Sequence, residues 1–280
     1  MAIAGCYDLD SDGYPLDSAW YRRRIYNLIL EECGPKTVLD IGCGGGQTIL
    51  DALERDIDVI GVEPIEKLAE FGRNKLISEG YSGSKILLGD ASAISKFDEE
   101  SFDTVAMLSV IPHVPKKDWE SLHKEIFRVL KPGGIAIIAY RNELFDLFTA
   151  NRFTHLFMMN NFFSHGSYTE LERSAIATEL NSFIPFYETP SLNHTESNDK
   201  SFGNLDRPKS NPLNQSSYLA NFGLNLSSMY YCNFHPILPN MKHRDSKSLR
   251  KIKHDMELDW FNEWQGMFMS SMFVTVSRKN

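Results

Sequence analysis

The segment from Thr37 to Leu50, TVLDIGCGGGQTIL, places a short apolar run directly before a cluster of glycines and a helix-like stretch. A strand that ends in glycines lets a ligand approach the backbone closely, because glycine has no side chain and tolerates positive φ. The N–H groups at the start of a following helix favour anionic or polar ligand groups. The segment therefore predicts a strand, a glycine loop and a helix that together bind a nucleotide-like ligand at a sheet edge.

The rest of the chain alternates between short apolar runs and helical patterns. After TVLDI, the apolar runs are DVIGVE, KILLGD, FDTVAMLS and GGIAIIAY, and stretches with helical spacing separate most of them. This alternation predicts an α/β fold with a doubly wound, Rossmann-like parallel sheet covered by helices on both faces. Two later runs, LNLSSMYYCNF and MFMSSMFVTVS, predict two further strands.

Length and pattern favour one domain, 1–280, because 280 residues with 42% hydrophobic side chains can bury one sizeable core. We divide it into an N-terminal helix at 17–33, a core at 34–140, an insertion at 141–217 and a terminal part at 218–280. The terminal part holds the last two strands and a helical insertion. Within the larger insertion, the polar stretch 188–217 is typical of a lid, a binding loop or a disordered segment.

Charge and cysteine content argue against several classes of protein. A formal net charge of −8 disfavours a protein that binds nucleic acid mainly through phosphate contacts, so we expect a small-molecule ligand. The four cysteines show no CxxC pairing, so neither a metal site nor a disulfide framework is expected. No apolar run approaches the roughly 20 residues of a spanning helix. We expect a cytoplasmic protein without stable membrane association, and a homodimer is left open.

The spacing of the glycines distinguishes between nucleotide ligands. Gly42, Gly44 and Gly46 give GxGxG, and Gln47 stands where the last glycine of the dinucleotide fingerprint GxGxxG belongs. This departure argues against NAD. Glu63 ends the next apolar run, where a single carboxylate can accept hydrogen bonds from two ribose hydroxyls.

Several motifs in a fixed order, VLDIGCGGG, VIGVEP, LLGDASAI, FDTVAMLSVIPHV and VLKPGGIAII, resemble the class I S-adenosylmethionine-dependent methyltransferases. The resemblance covers about residues 34–140. It implies a mostly parallel sheet with an antiparallel terminal hairpin, an inserted lid, and a helix at 17–33 that covers the cofactor. It also implies an enzyme that uses S-adenosyl-L-methionine as its cofactor.

The resemblance assigns cofactor contacts to particular residues. It implies that Gly42 and Gly44 contact the methionine part through their backbone and that Glu63 accepts the ribose hydroxyls. Asp90 would lie beside the adenine amino group, with Ala91 next to it. In each case the alternative is an ordinary strand-end or turn residue, but their joint occurrence in this order favours the cofactor site.

Four further residues are cofactor candidates. The resemblance places Ser109 near the methionine amine or the reacting centre, and it suggests that Tyr21 or Arg24 on the N-terminal helix reaches the cofactor carboxylate. A solvated basic face is the alternative for the arginines of that helix. Asp40 either orients the glycine loop through hydrogen bonds to backbone N–H groups or contacts the cofactor amine.

Candidates for chemistry and acceptor binding follow the fourth and fifth strands or lie in the insertions. His113 is the best placed general base, with loop shaping as the alternative; His165 and His235 follow, and each is also explained as a partly buried histidine. Tyr140 and Arg141 enter the insertion from the sheet edge and are expected to bind substrate. Arg141 suits an acidic acceptor, or it pairs with a neighbouring carboxylate.

These features predict methyl transfer to a small-molecule acceptor, with O-methylation favoured over N-methylation and an acceptor pocket formed by the aromatic-rich insertion. Fold alone does not choose the acceptor. One alternative is a catalytically silent, S-adenosylmethionine-binding regulatory protein. Another, disfavoured by Gln47, is a nicotinamide oxidoreductase.

Overall fold

The computed structural model describes residue 15 and residues 19–108, 110–164, 166–184, 207–239, 241 and 247–280. The described strands are β1 (Thr37–Ile41), β2 (Asp58–Glu63), β3 (Ile86–Leu88), β4 (Phe102–Met107), β5 (Leu130–Arg141), β6 (Leu224–Phe234) and β7 (Ser270–Lys279). They form a seven-stranded sheet in the order β3-β2-β1-β4-β5-β7-β6.

Strands β1 to β5 pair in parallel, whereas β7 runs antiparallel to both β5 and β6. This arrangement confirms the predicted Rossmann-like sheet with its antiparallel terminal hairpin. The central strands β1 and β4 are buried along most of their length, which explains why they read as continuous apolar runs.

The described helices cover the sheet or extend from its edge. They are α1 (Ala19–Cys33), α2 (Gln47–Leu53), α3 (Glu66–Ser78), α4 (Trp119–Val129), α5 (Phe145–Phe148), α6 (Arg152–Asn161), α7 (Glu170–Phe183), α8 (Gln215–Ala220), α9 (Lys247–Asp259) and α10 (Gly266–Met269). Among the short 3-10 turns, Ala91–Lys96 follows β3 and Ile111–His113 follows β4. Within the described ranges, none of the helices has the length and apolar character that crossing a lipid bilayer requires.

Two hydrophobic cores lie on opposite faces of the sheet because adjacent strand residues point in opposite directions. On one face, Val38 packs in a cluster with Ile25 and Ile29 of α1. On the other face, Leu39 packs in a cluster with Trp119 and other residues of α4. Full burial of one such aliphatic side chain stabilises the fold by roughly 1.5–3 kcal/mol.

The insertion at 141–217 begins and ends beside β5. The backbone N–H of Ser210 donates to the carbonyl of Arg141 (2.9 Å), and the N–H of Glu143 donates to the carbonyl of Ser210 (2.9 Å). Between these ends, α5 packs against α6 and α10. Residues 185–206, which include much of the polar stretch 188–217, lie outside the described part of the chain.

Candidate functional site

A cavity of about 1610 Å³ lies along the carboxyl ends of the parallel strands. Across the sheet from β3 to β5, its wall carries Asp90, Glu63, the glycine loop (residues 42–46), His113 and Arg141. Carboxyl ends of neighbouring parallel strands meet at one sheet edge, so residues far apart in sequence come together there. The structure thus brings most of the predicted cofactor residues and the best predicted base to one site.

The glycine loop contributes bare backbone to this cavity. A Cβ on Gly42 would lie 2.1 Å from Cγ2 of Val110, so this position excludes any larger residue. Gly44 has φ +55°, and a Cβ there would meet no atom within 4 Å, because it faces open space. The N–H of Gly42 donates to the carbonyl of Val62 (2.7 Å), and that of Gly44 donates to Glu63 (2.9 Å). Unlike the open donors that the sequence suggested, these two N–H groups already have partners within the protein.

Glu63 is the buried carboxylate of the site, with 4% of its surface exposed. Its Oε2 accepts from the N–H of Gly44 (2.9 Å), and its Oε1 accepts from the N–H of Ile65 (3.0 Å). Each oxygen keeps further acceptor capacity for a hydroxyl of a ligand. Burial raises the pKa of Glu63, and the two N–H donors oppose that rise. A fixed acceptor pair beside the open space at Gly44 fits the ribose of S-adenosylmethionine.

Asp40 lines the cavity but bonds to α2. Its buried carboxylate accepts a short hydrogen bond from the hydroxyl of Thr48 in α2. Burial raises the pKa of Asp40 to about 7, and the negative charges of Glu63 and Asp51 add to the rise, while the Thr48 hydroxyl opposes it. The observed contact is structural, and contact with a cofactor amine stays a prediction.

Asp90 and Ala91 form the far end of the site, after β3. The exposed Asp90 carboxylate accepts from the N–H (2.9 Å) and the hydroxyl (2.6 Å) of Ser92, and it caps the turn Ala91–Lys96. These hydrogen bonds hold the pKa of Asp90 below its usual range. Asp90 is therefore an ionised acceptor at neutral pH, as recognition of an amino group requires.

The structure places the two candidates on the N-terminal helix away from the cavity. The hydroxyl of Tyr21 lies 3.3 Å from Nδ1 of His254, and 4% of Tyr21 is exposed. The guanidinium of Arg24 lies 4.9 Å from the ring centre of Phe261. Both side chains therefore contact the terminal part of the chain.

The same helix reaches the cavity through Ala19, Arg22 and Arg23. These positions follow the spacing i, i+3, i+4, which defines one helix face. Arg23 makes two hydrogen bonds of 2.6 Å to the carboxylate of Asp51 in α2, which fixes this face beside the glycine loop. The spacing of the apolar residues along α1 places Tyr21 on the face that packs in the core. The same spacing could have predicted that Ala19, Arg22 and Arg23 reach the cavity.

His113 lies at the other end of the site and contacts the positively charged side chain of Arg207. Its Nε2 accepts from Nη1 of Arg207 (3.2 Å). Partial burial lowers the pKa of His113, and the charges of Arg207 and Arg141 lower it further. His113 is therefore neutral at physiological pH, which is the protonation state of a general base. Sequence reasoning missed Arg207, which is 94 residues away from His113 and carries no motif.

Tyr140 lies in the core instead of the substrate site. Its hydroxyl is 2.7 Å from Nε2 of His123, and its ring packs against Trp119 and Phe273 at centroid distances of 5.7 and 5.4 Å. Adjacent strand residues point to opposite faces, so Tyr140 and Arg141 do not share a site. In the structure Arg141 lines the cavity and Tyr140 does not.

The remaining candidates do not add to the cavity wall. The ring of His235 packs against Phe145 (4.6 Å between centroids), and the backbone N–H of His235 donates to the carbonyl of Met269 (2.9 Å). Of the described residues in the insertion, only Arg141 and Arg207 line the cavity, whereas the aromatic-rich helices were expected to form an acceptor pocket. His165 and Ser109 lie outside the described residues.

Comparison with known proteins supplies the family context. Residues 39–138 match the family model described as a methyltransferase domain. The tRNA N(3)-methylcytidine methyltransferase trm140 of Schizosaccharomyces pombe is 24% identical over 153 residues, which cover 52% of this chain and 50% of that protein. Demethylmenaquinone methyltransferase of Lactococcus lactis is 37% identical over 101 residues, covering 35% of this chain and 39% of that protein. The chain thus spans half or less of these relatives.

A solved structure shows the same fold over most of the chain. The YcgJ protein of Bacillus subtilis superposes with a TM-score of 0.53 at 16% identity, covering 93% of this chain and 99% of that one. At 16% identity, this structural similarity shows a shared fold, that is, the same arrangement of the sheet and its helices.

Proposed function

Because residues 39–138 form a class I S-adenosylmethionine-dependent methyltransferase domain, we propose that this chain transfers a methyl group from S-adenosylmethionine to a small-molecule acceptor. The observation that carries the proposal is the single cavity that combines Gly44, Glu63 and Asp90 with His113. The first three residues suit a nucleoside ligand, and the fourth is a neutral base two strands from Glu63.

In this proposal the cofactor lies across β1, β2 and β3. S-adenosylmethionine, when bound, supplies a methyl group on positively charged sulfur. Glu63 accepts the ribose hydroxyls, Asp90 accepts from the adenine amino group, and Gly44 leaves room for the methionine part. The face of α1 with Arg22 and Arg23 closes this side of the cavity and offers guanidinium donors to the cofactor carboxylate.

The acceptor in turn occupies the cavity above β4 and β5. His113 takes the proton that a hydroxyl acceptor loses at Nε2 once Arg207 no longer donates to this atom, because its imidazole is neutral at physiological pH. The cavity walls align the acceptor and limit its contact with water, which lowers the entropic barrier to transfer. A base of this kind favours O-methylation over transfer to an amine that is already neutral.

Calorimetric titration with S-adenosylhomocysteine, S-adenosylmethionine and NAD tests cofactor binding. We expect micromolar binding of the first two ligands and none of NAD. Glu63→Ala should weaken binding about 10- to 100-fold, since hydrogen bonds to a charged acceptor contribute roughly 1.5–3 kcal/mol. Glu63→Gln, which keeps the shape of the side chain, should show a smaller loss. Binding of NAD alone, or of no ligand, would contradict the proposal.

Glu70→Ala is the matched control for this titration. Glu70 is an exposed carboxylate on α3, outside the cavity wall. Its removal should leave all affinities unchanged. An equal loss in the Glu63 and Glu70 variants would assign the effect to overall charge.

A turnover assay then tests for catalysis and excludes the silent alternative. Formation of S-adenosylhomocysteine with any acceptor establishes an enzyme, and His113→Gln should lower kcat about 10²- to 10⁴-fold without weakening cofactor binding. The relative named for a tRNA substrate makes tRNA the second acceptor class to include. Turnover with tRNA alone would replace the small-molecule assignment.

A further inference from the structure

Arg141 presents its guanidinium to the cavity. It is the last residue of β5, it is partly buried, and its side chain makes no hydrogen bond or ion pair with any described residue. The acidic group whose charge acts on it, Asp146, is already held by Lys209 through contacts of 2.6 and 2.7 Å. Arg141 is therefore not explained by the structural pairing with a neighbouring carboxylate that the sequence left open.

A second arginine lies beside the first. The backbone of Ser210 pairs with that of Arg141, which brings the segment starting at Arg207 along the end of β5. Arg207 lines the same cavity and donates to His113. The pKa of Arg141 is lowered by burial and by the charge of Arg207. An anion placed between two guanidinium groups is attracted by both of them.

The position of the pair points to the acceptor. In the sheet order, β5 lies three strands from β2, which carries Glu63. Three strand spacings correspond to about 14 Å. The arginines thus stand over the half of the cavity that holds His113, away from the proposed ribose and adenine contacts.

We propose that Arg141 and Arg207 form an oxyanion subsite that binds the carboxylate of an acidic methyl acceptor beside His113. A guanidinium donates two parallel hydrogen bonds to a carboxylate, so two of them can hold it in a fixed orientation. This inference rests on the proposed function, because only a methyltransferase has a methyl acceptor. Binding of a carboxylate to the subsite is tested without turnover.

The subsite couples acceptor binding to the base. The charges of Arg207 and Arg141 both act on His113 and lower its pKa. A bound carboxylate offsets both charges, so the pKa of His113 rises when the anion binds. The base therefore becomes a better proton acceptor when an acidic acceptor is in place.

Paired titrations with benzoate and with its neutral analogue benzamide test the subsite, on the protein alone and saturated with S-adenosylhomocysteine. We expect benzoate to bind at least about tenfold more tightly than benzamide, as charge-assisted hydrogen bonds do. Arg141→Gln and Arg207→Gln should each remove this preference. In the NMR pH titration of the histidines, benzoate should raise the pKa of His113 in the unmodified protein and leave it unchanged in Arg141→Gln.

Arg278→Gln is the matched control, since Arg278 donates to the carbonyl of Gly133 at the opposite end of β5, and it should keep the preference for benzoate. Equal affinity for the two compounds, including no binding of either, would overturn the inference. So would a tenfold loss of S-adenosylhomocysteine affinity in Arg141→Gln, because the arginines would then hold the cofactor carboxylate. Failure of S-adenosylhomocysteine to bind the unmodified protein would instead reject the proposed function, and the benzoate preference would still be measured.

Discussion

Tyr140 and Arg141 are neighbours in β5 but serve different parts of the molecule. Arg141 lines the cavity, whereas Tyr140 is fully buried against His123 on the face covered by α4. Nδ1 of His123 lies 2.6 Å from the carbonyl of Trp119, so this nitrogen donates and Nε2 accepts from the Tyr140 hydroxyl. The pair is a satisfied polar contact inside an apolar core.

Tyr140→Phe should therefore lower stability and leave binding intact. The substitution leaves the buried acceptor Nε2 of His123 without its hydrogen bond from the Tyr140 hydroxyl, which costs about 1–3 kcal/mol of unfolding free energy. Urea denaturation measures this loss, and calorimetry with S-adenosylhomocysteine should give the affinity of the unmodified protein. Tyr218→Phe, at a partly exposed tyrosine on α8, is the control and should change stability by less. A weaker ligand affinity with unchanged stability would contradict this structural role and would support the predicted role of Tyr140 in substrate binding.

At the residue scale, the sequence could identify Glu63 and the glycine loop, because each is tied to a strand end and to its neighbours in one motif. The helical spacing of the core residues of α1 is consistent with Arg22 at the cavity, whereas the resemblance implied Tyr21 or Arg24. Arg207 follows a polar stretch with no periodic pattern, so no local signal places it beside His113.

At the element scale, α1 is attached to the domain by charge as well as by its apolar face. Arg23 binds the carboxylate of Asp51 through two nitrogen atoms, and Asn27 donates to the same carboxylate (2.9 Å). Burial raises the pKa of Asp51, but these donors outweigh that effect and hold it below its usual range. The folded-state pKa is depressed, so this contribution to stability is present above about pH 3.9 and is lost as the pH falls through the folded value.

Arg23→Gln should loosen α1 and reduce cofactor affinity together. Asp51 is buried and Arg23 is partly exposed, with 2% and 26% of their side chains accessible, so we expect a loss of about 1–3 kcal/mol. Chemical denaturation and calorimetry measure the two effects. Lys124→Gln, which breaks the exposed pair with Glu120, should leave both stability and affinity nearly unchanged, because solvent screens exposed ion pairs. Similar losses of stability and affinity in both variants would show that the pair of Arg23 with Asp51 has no specific role in holding α1.

The sheet was predictable at this scale because buried parallel strands leave continuous apolar runs in the sequence. The insertion was less predictable. Its aromatic residues indicated that it packs somewhere, but composition does not specify the partner, and α5 packs against α10 instead of over the cavity. Long-range pairing, such as Ser210 with Arg141, is set by the fold and leaves no local pattern.

For the whole molecule, two buried acids make stability depend on pH. Burial raises the pKa of Glu257 to about 7, against the opposing effects of Lys253, Arg22 and backbone donors, and burial raises that of Asp40 to about 7. Oε2 of Glu257 has no hydrogen-bond partner among the described residues. Because the folded state holds these protons more tightly than the unfolded state, their contribution is full below about pH 4 and falls as the pH rises toward 7.

Glu257→Gln should remove part of this dependence. The variant should be more stable than the unmodified protein at pH 8, by at most about 3 kcal/mol, and similar to it at pH 5. Urea denaturation at the two pH values measures the difference. Asp259→Asn, at an exposed carboxylate of the same helix, is the control and should follow the unmodified protein at both pH values. A constant offset for Glu257→Gln would show that its charge does not govern the trend.

Strand β7 follows β6 along the chain but lies between β5 and β6 in the sheet. During translation, β5 and β6 therefore emerge before β7, which lies between them. Until β7 is made, the backbone N–H and C=O groups that will pair with it have no partner in this strand. The pairing of Ile138 with Thr275 must then close a loop of more than a hundred residues, which slows folding. Until β7 has been made and has paired with both neighbours, the open edges of β5 and β6 are surfaces that chaperones are well placed to protect.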